Sequence, residues 1–329
     1  MTYPKPLSEK NLKKMYLEAG ISPEQSSWLH DLFAAAANLY GGCSLRDLWK
    51  IYKQLMQREL LPIISRKKII AFSAIVRREA QLYYVYEIDE MWPDEQRSDL
   101  DRLIVHRDLI GTVSGKIAPF YSLSTALDWG FYRWPFYVPD DFLSYTEPKP
   151  GKEENALFDF LCSLKVTAKE CIPVSGDPYP CENKGKRLGE FSFLTKDESF
   201  DLNRYTKNAY TRKAFEKEYS GTEAEKLFRW FKKSERSGSG YWEFTAHTKR
   251  LFDELQEVGV ELSEEQVETL IELLNDFHNN FHMWYIRGWA IVDILESPLF
   301  GPRIRRTFYD ERMIGKDWYR STKNKTPGK

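Results

Sequence analysis

The chain has 329 residues, with 48 Lys and Arg against 49 Asp and Glu and a formal net charge of -1. That balance excludes a protein whose whole surface binds nucleic acid or anionic membrane, so any such contact must be local. No apolar run approaches a membrane span and the start MTYPKPLSEKNLKK lacks an apolar signal core, so the sequence reads as cytoplasmic, with two or three domains and no membrane partner. Cys43, Cys162, Cys171 and Cys181 read as free thiols of a reducing compartment, not as a disulfide framework.

In chain order, the first strong pattern is WLHDLFAAAANLY (28–40). Leu29, Leu32, Phe33, Ala36 and Tyr40 recur on one helical face, and Gly41 and Gly42 end the helix. Ser44 then caps a second amphipathic helix carrying Leu45, Leu48, Trp49, Tyr52 and Leu55. Pro62 separates it from a third, SRKKIIAFSAIVRRE, capped by Ser65. LYYVYEI (82–88) and RLIVHRDL (102–109) are aromatic and β-branched, as strands are, and the polar DEMWPDEQRSDLD between them reads as a wing loop. Three helices followed by a hairpin is the order of a winged helix-turn-helix domain.

In the third helix, Ile69, Phe72 and Val76 point one way and Lys67, Ile70, Ala74, Arg77 and Arg78 roughly the other. Residues 44–80 hold nine Lys/Arg and three Asp/Glu, a balance suited to phosphate contact. The candidate nucleic-acid-binding residues are Lys67, Lys68, Arg77 and Arg78. Against this, residues 81–110 hold eight Asp/Glu and three Lys/Arg, so the wing would repel a phosphate backbone. Ile70, Ala71 and Ala74 suit a protein partner equally.

Phe120, Tyr121, Trp129, Phe131, Tyr132, Trp134, Phe136 and Tyr137 crowd an arm interrupted by Pro119, Pro135 and Pro139. It reads as packing against neighbouring structure in preference to a platform for stacked bases. EPKPGKEEN (147–155) suits a domain boundary. Beyond it, ALFDFLCSLKVTAKE reads as a helix, CIPVSGDPYPCENKGKRLG as a loop, and residues 198–235 as two polar helices. The clearest later helix is SEEQVETLIELLNDFHNNFHMWYIRG, with a Ser263/Gln266 capping box and a stripe of Val267, Leu270, Ile271, Leu274 and Phe281. Residues 251–276 carry nine acids and no Lys or Arg, a solvated face or a seat for a basic partner.

Three chemical sites are weighed. His278 and His282 are four apart, a spacing for two metal ligands on one helix side, but no third ligand is apparent and a packed, hydrogen-bonded histidine is the simpler reading. Cys171 and Cys181 lack a CxxC partner, so no metal is expected there. No P-loop, dinucleotide glycine motif or GxSxG elbow occurs, so no catalytic residues and no cofactor are assigned. An enzyme would place its pocket near His278, His282 and Trp284.

The winged-helix order, then WPFYVPDDFLSYTE (134–147), then NNFHMWYIRGWAIVDIL (279–295) and FGPRIRRTF (300–308), resembles a group of bacterial proteins common in Firmicutes, some similar to SEC-C proteins. No cysteine follows Cys181, so the zinc knuckle of SEC-C proteins is absent. The resemblance implies an architecture and no activity. The expected fold is mainly α (α+β): a winged-helix-like domain over 1–112, an aromatic arm over 113–154, a helical domain over 155–315 and a basic tail over 316–329. The expected function is non-enzymatic binding: a nucleic-acid-binding regulator acting through residues 65–80, or alternatively a protein-interaction scaffold.

Overall fold

The computed structural model describes residues 3–58, 62–79, 81, 83–91, 98–113, 116–119, 134–171, 178–192, 221–237 and 241–311. They are mainly helical with small sheets, and no described helix is long and apolar enough to cross a membrane. The chain divides into two compact units. Unit 1 is Met1–Lys149, Arg236–Gly240 and Phe281–Asp293; unit 2 is Pro150–Glu235, Tyr241–Asn280 and Ile294–Lys329. The break after Lys149 lies inside the EPKPGKEEN segment, but residues 281–293 group with the N-terminal half instead of the domain drawn over 155–315. The basic tail over 316–329 lies outside the described residues.

Unit 1 runs α1 (Glu9–Glu18), α2 (Pro23–Tyr40), β1 (Gly42–Ser44), α3 (Leu45–Gln57), α4 (Arg66–Val76), β2 (Tyr83–Tyr86), a short α5 (Ile88–Met91) and β3 (Leu103–His106). Each long helix after α1 is started by a serine. Ser22 and Gln25 close a capping box on α2, Ser44 Oγ accepts from Asp47 N at 3.1 Å, and Ser65 Oγ accepts from Lys68 N at 3.4 Å. The strands form one antiparallel sheet in the order β1-β3-β2, with Cys43 and Val85 both opposite Ile104. A second hairpin, β4 (Ile110–Val113) with β5 (Lys116–Pro119), follows.

Side chains alternate across the sheet. Cys43, Tyr83, Val85 and Ile104 face the core that also holds Leu29, Phe33, Leu48, Tyr52, Phe72 and Val76, all buried. Tyr86, Leu103, Val105 and Leu109 gather on the other side with Trp284. β3 is therefore covered on both faces, which is why Leu103, Ile104 and Val105 run apolar without alternation. Trp284 enters where α2 ends: a side chain on Gly41, at φ 67, would meet its indole at 2.5 Å. Its Nε1 donates to the Asn38 carbonyl at 2.9 Å. Gly288, at φ 79, makes a matching close approach to the ring of Tyr40.

Several elements differ from the expectation. α1 is unforeseen, because its apolar residues Leu12, Met15 and Tyr16 are only half-buried against the core and Ser8 makes no capping bond. α2 begins at Pro23, not Trp28. Trp49 is half-buried instead of core, stacked on Tyr52 at 5.2 Å. The expected wing loop opens with α5 and closes with a 3-10 turn (Asp99–Asp101), and residues 92–97 lie outside the described set. Of the aromatic arm, Trp134, Phe136 and Tyr137 are described and pack within unit 1, whereas Phe120, Tyr121, Trp129, Phe131 and Tyr132 lie outside the described residues.

Unit 2 contains α6 (Lys152–Ser163), most of α7 (Glu223–Ser237), α8 (Tyr241–Glu257), α9 (Glu264–Asn280) and α11 (Pro302–Glu311), with the short α10 (Ile291–Glu296) at its margin. α6 packs on α9, and Leu157, Leu161, Phe231, Leu251, Leu270 and Phe277 are buried. α9 starts as its sequence predicts, with Gln266 N donating to Ser263 Oγ at 3.2 Å and Ser263 N to Gln266 Oε1 at 3.0 Å. The four-thiol reading is corrected. Two-residue strands β6 (Glu170–Cys171) and β7 (Tyr179–Pro180) bring Cys171 and Cys181 to a Cα separation of 5.2 Å in a disulfide, leaving Cys43 and Cys162 free. Thr167 and Ala168 anchor this hairpin by donating to the Gly259 carbonyl, each at 3.0 Å.

Phe72 is fully buried with Phe33 and His30 rings at 4.9 Å, so Phe72→Ala should lower unfolding free energy by about 3–5 kcal/mol in a denaturant titration. A loss below about 1 kcal/mol would reject the packing of α4 described here. Gly41→Ala adds backbone strain of about 1–2 kcal/mol and overpacking of about 1–3 kcal/mol against Trp284. An unchanged melting temperature for that variant would refute the indole slot.

Candidate functional site

The four candidate cations on and after α4 have different fates. Lys67 and Arg78 are exposed, as are Arg66 and Ala74, and Ile70 and Ala71 are half-buried. Ile63, just before the cap, is 85% exposed. Lys68 is half-buried, its Nζ donating to Gln25 Oε1 on α2 at 2.7 Å. Arg77 is withdrawn: its side chain is 11% exposed, Nη1 pairs with Glu87 at 2.7 Å and Nη2 with Glu90. Arg66 was missed by face assignment, although its place beside the Ser65 cap was a usable signal. Lys67 and Arg78 stand about 16 Å apart along the helix axis.

The acidic segment is neutralised from within the same unit. Asp101 pairs with Arg46 at 2.9 Å, Asp99 with Arg102 at 2.7 Å, and Glu87 with Arg102 at 2.7 Å as well as with Arg77. A carboxylate paired at close range presents much less field to a distant phosphate. The repulsion expected of residues 81–110 is therefore largely cancelled at these four carboxylates, counting Glu90.

His278 and His282 do not form a pair on one helix side. α9 stops at Asn280, so His282 lies beyond the helix, in unit 1, and His278 lies in unit 2. His282 Nδ1 donates to the Gly288 carbonyl at 2.8 Å; since a carbonyl only accepts, Nε2 is the acceptor for the Tyr145 hydroxyl at 2.9 Å. Burial lowers the pKa of His282, and nearby Asp293 opposes that shift. The ring also stacks on Tyr137 at 4.9 Å. All its polar valences serve to join residues 137–145 to 282–293.

His278 belongs to a buried cluster in unit 2. Glu235 on α7 is bridged by His278 Nδ1 at 2.6 Å and His247 Nδ1 at 2.7 Å, and Phe244 lies flat on the His278 ring at 3.8 Å. Burial alone would raise the Glu235 pKa, but hydrogen bonds from His247 and His278 outweigh it and hold the carboxyl below its ordinary value of 4.5. Three helices are thus joined through one ionised carboxylate. Among the described residues, no group of three or more His, Cys, Asp or Glu is arranged to hold a metal ion.

A cavity of about 450 Å³ opens elsewhere in unit 2, lined by Glu154, Asn155, Phe158, Glu225, Phe228 and Arg229 among others. Its polar groups are already engaged: Glu154 with Lys232, and Arg229 Nε with the Glu225 carbonyl at 3.2 Å. Among the described residues, no serine, cysteine or histidine lines it. His278, His282 and Trp284 do not line it.

No family model matches the chain, and neither a curated protein nor a solved structure matches it.

Glu235 generates a prediction with a definite sign. Its folded-state pKa is depressed, so its stabilisation is present above the unfolded value near 4.5 and is lost as pH falls through the folded value. Glu235→Ala should cost about 3–5 kcal/mol at neutral pH, because buried His278 and half-buried His247 lose their acceptor. The variant's acid unfolding should also be shallower than that of the wild type. Equal acid limbs in both proteins would contradict the cluster.

Proposed function

We propose that unit 1 is a winged-helix domain and that the protein is a non-enzymatic, nucleic-acid-binding regulator using the outward face of α4. The element order α2-β1-α3-α4-β2-β3 and the strand order β1-β3-β2 support the domain reading. The single observation that carries the function is the α4 stripe: short side chains at Ala71 and Ala74, bracketed by exposed Arg66 and Lys67 at one end and Arg78 at the other. Short side chains let a helix approach base edges in a groove about 12 Å wide, and cations at both ends reach the flanking phosphates. The resemblance to bacterial SEC-C-related proteins belongs to the same proposal. Two of its motifs meet within unit 1, where Trp289 Nε1 donates to the Pro135 carbonyl at 2.9 Å and Arg287 Nη1 to the Trp134 carbonyl at 3.1 Å.

A second reading, a protein-interaction scaffold, is favoured by one feature: Ile63, just before α4, is a large apolar side chain 85% exposed. Fluorescence anisotropy with a short DNA duplex at low salt separates the two. The regulator reading predicts binding that weakens steeply with salt. Replacing Arg66, Lys67 and Arg78 by alanine should flatten the salt slope by about 0.9 for each lost phosphate contact. Absence of binding at low salt removes the nucleic-acid reading and leaves the scaffold.

A further inference from the structure

By spacing, Arg77 belongs to the edge of the α4 stripe, ten positions after Lys67 and adjacent to exposed Arg78. Yet its guanidinium is enclosed. Glu87 takes Nη1 at 2.7 Å and Glu90 takes Nη2, while the Tyr3 ring lies 5.8 Å from the guanidinium carbon. The enclosure is fastened on both sides. The Val85 amide donates to the Tyr3 hydroxyl at 3.0 Å, Leu7 N donates to the Arg78 carbonyl at 2.8 Å, and the Glu87 amide donates to the second Glu90 oxygen at 2.8 Å. Arg77 Nε is buried and has no hydrogen-bond partner among the described residues. Two carboxylates on one arginine offer its N–H groups anionic oxygen acceptors, as a phosphate would.

We propose, resting on the reading of α4 as a nucleic-acid contact, that Glu87 and Glu90 act as an intramolecular phosphate mimic, an autoinhibitory cage that withholds Arg77 from the contact face under the Tyr3 strap. Opening the cage adds one phosphate contact beside Arg78. Glu90 is the discriminating position, because it serves Arg77, whereas Glu87 also holds Arg102 at 2.7 Å.

Anisotropy titrations of the full chain with duplex DNA test this through Glu90→Gln, Arg77→Ala and the double variant. Glu90→Gln should tighten binding on the order of tenfold at low salt and steepen the salt slope by about 0.9. The gain should vanish in the Arg77→Ala/Glu90→Gln protein, which should bind like Arg77→Ala alone. A gain that persists without Arg77 reflects only a lost negative charge and overturns the cage. Wild type that binds as proposed, with Glu90→Gln no tighter, overturns the cage while the contact face stands. If neither protein binds, both ideas fall. Should Glu90→Gln fail to fold, Tyr3→Ala decides: it uncovers Arg77 without changing charge, and unchanged binding refutes the strap.

Discussion

The Trp284 indole occupies the space that any side chain on Gly41 would need, and unit 1 depends on that exclusion. Because the indole lies there, the end of α2, the outer face of the sheet and residues 281–293 become one packed body. The same body takes in the chain around Pro135–Thr146. Asn38 Nδ2 donates to the Tyr145 and Thr146 carbonyls at 2.9 and 3.0 Å, and Tyr40 OH to the Tyr137 carbonyl at 2.7 Å. Arg287 sits in left-handed backbone at φ 59, a strained state for a non-glycine residue, with its guanidinium 4.5 Å above the Phe136 ring. Strain of that kind persists where surrounding packing over-determines it, as the flanking Trp284 and Trp289 do here. Segments far apart in sequence therefore fold as a unit, and a fragment ending near residue 112 would leave Leu103, Val105 and Tyr86 uncovered.

Beside that packed body, Arg66, Lys67, Ala74 and Arg78 are exposed along the outer arc of α4. Its electrostatics are set by pairing more than by composition. Residues 44–80 carry a surplus of cations and residues 81–110 a surplus of acids. The structure spends Arg46, Arg77 and Arg102 on Asp101, Glu87, Glu90 and Asp99, which leaves Arg66, Lys67 and Arg78 exposed. The half-exposed Arg46–Asp101 pair adds little stability, at about 0–1 kcal/mol, whereas the enclosed Arg77 and Arg102 are withdrawn from the surface, so the pairing as a whole reshapes the surface potential.

Much of the fold was legible where local chemistry and core burial agree. The Ser44 and Ser65 caps, the stripe through Leu48 and Tyr52, and the paired strands around Tyr83–Tyr86 and Leu103–His106 all carry periodicity that one can read. α1 was not legible, since a helix with no fully buried residue has no sharp apolar stripe. The Ser22/Gln25 capping box was legible and overlooked. Whether Arg77 was open could not be read from spacing, because Glu87 and Glu90 reach it only through the turn after β2. The His278/His282 pair misled for a similar reason: four-residue spacing means a shared face only while the helix continues, and α9 ends between them. Cys171 and Cys181 are joined by the short β6–β7 pairing, which composition does not encode.

The central claim is that the outward arc of α4 is the contact face of a domain completed by residues 281–293. Amide hydrogen exchange with and without duplex DNA tests it most directly, since it locates contact without altering the chain. The account predicts slowed exchange over residues 63–78, with the amides of unit 2 unchanged. Protection confined to unit 2, or binding that leaves residues 63–78 exchanging as in the free protein, would contradict it.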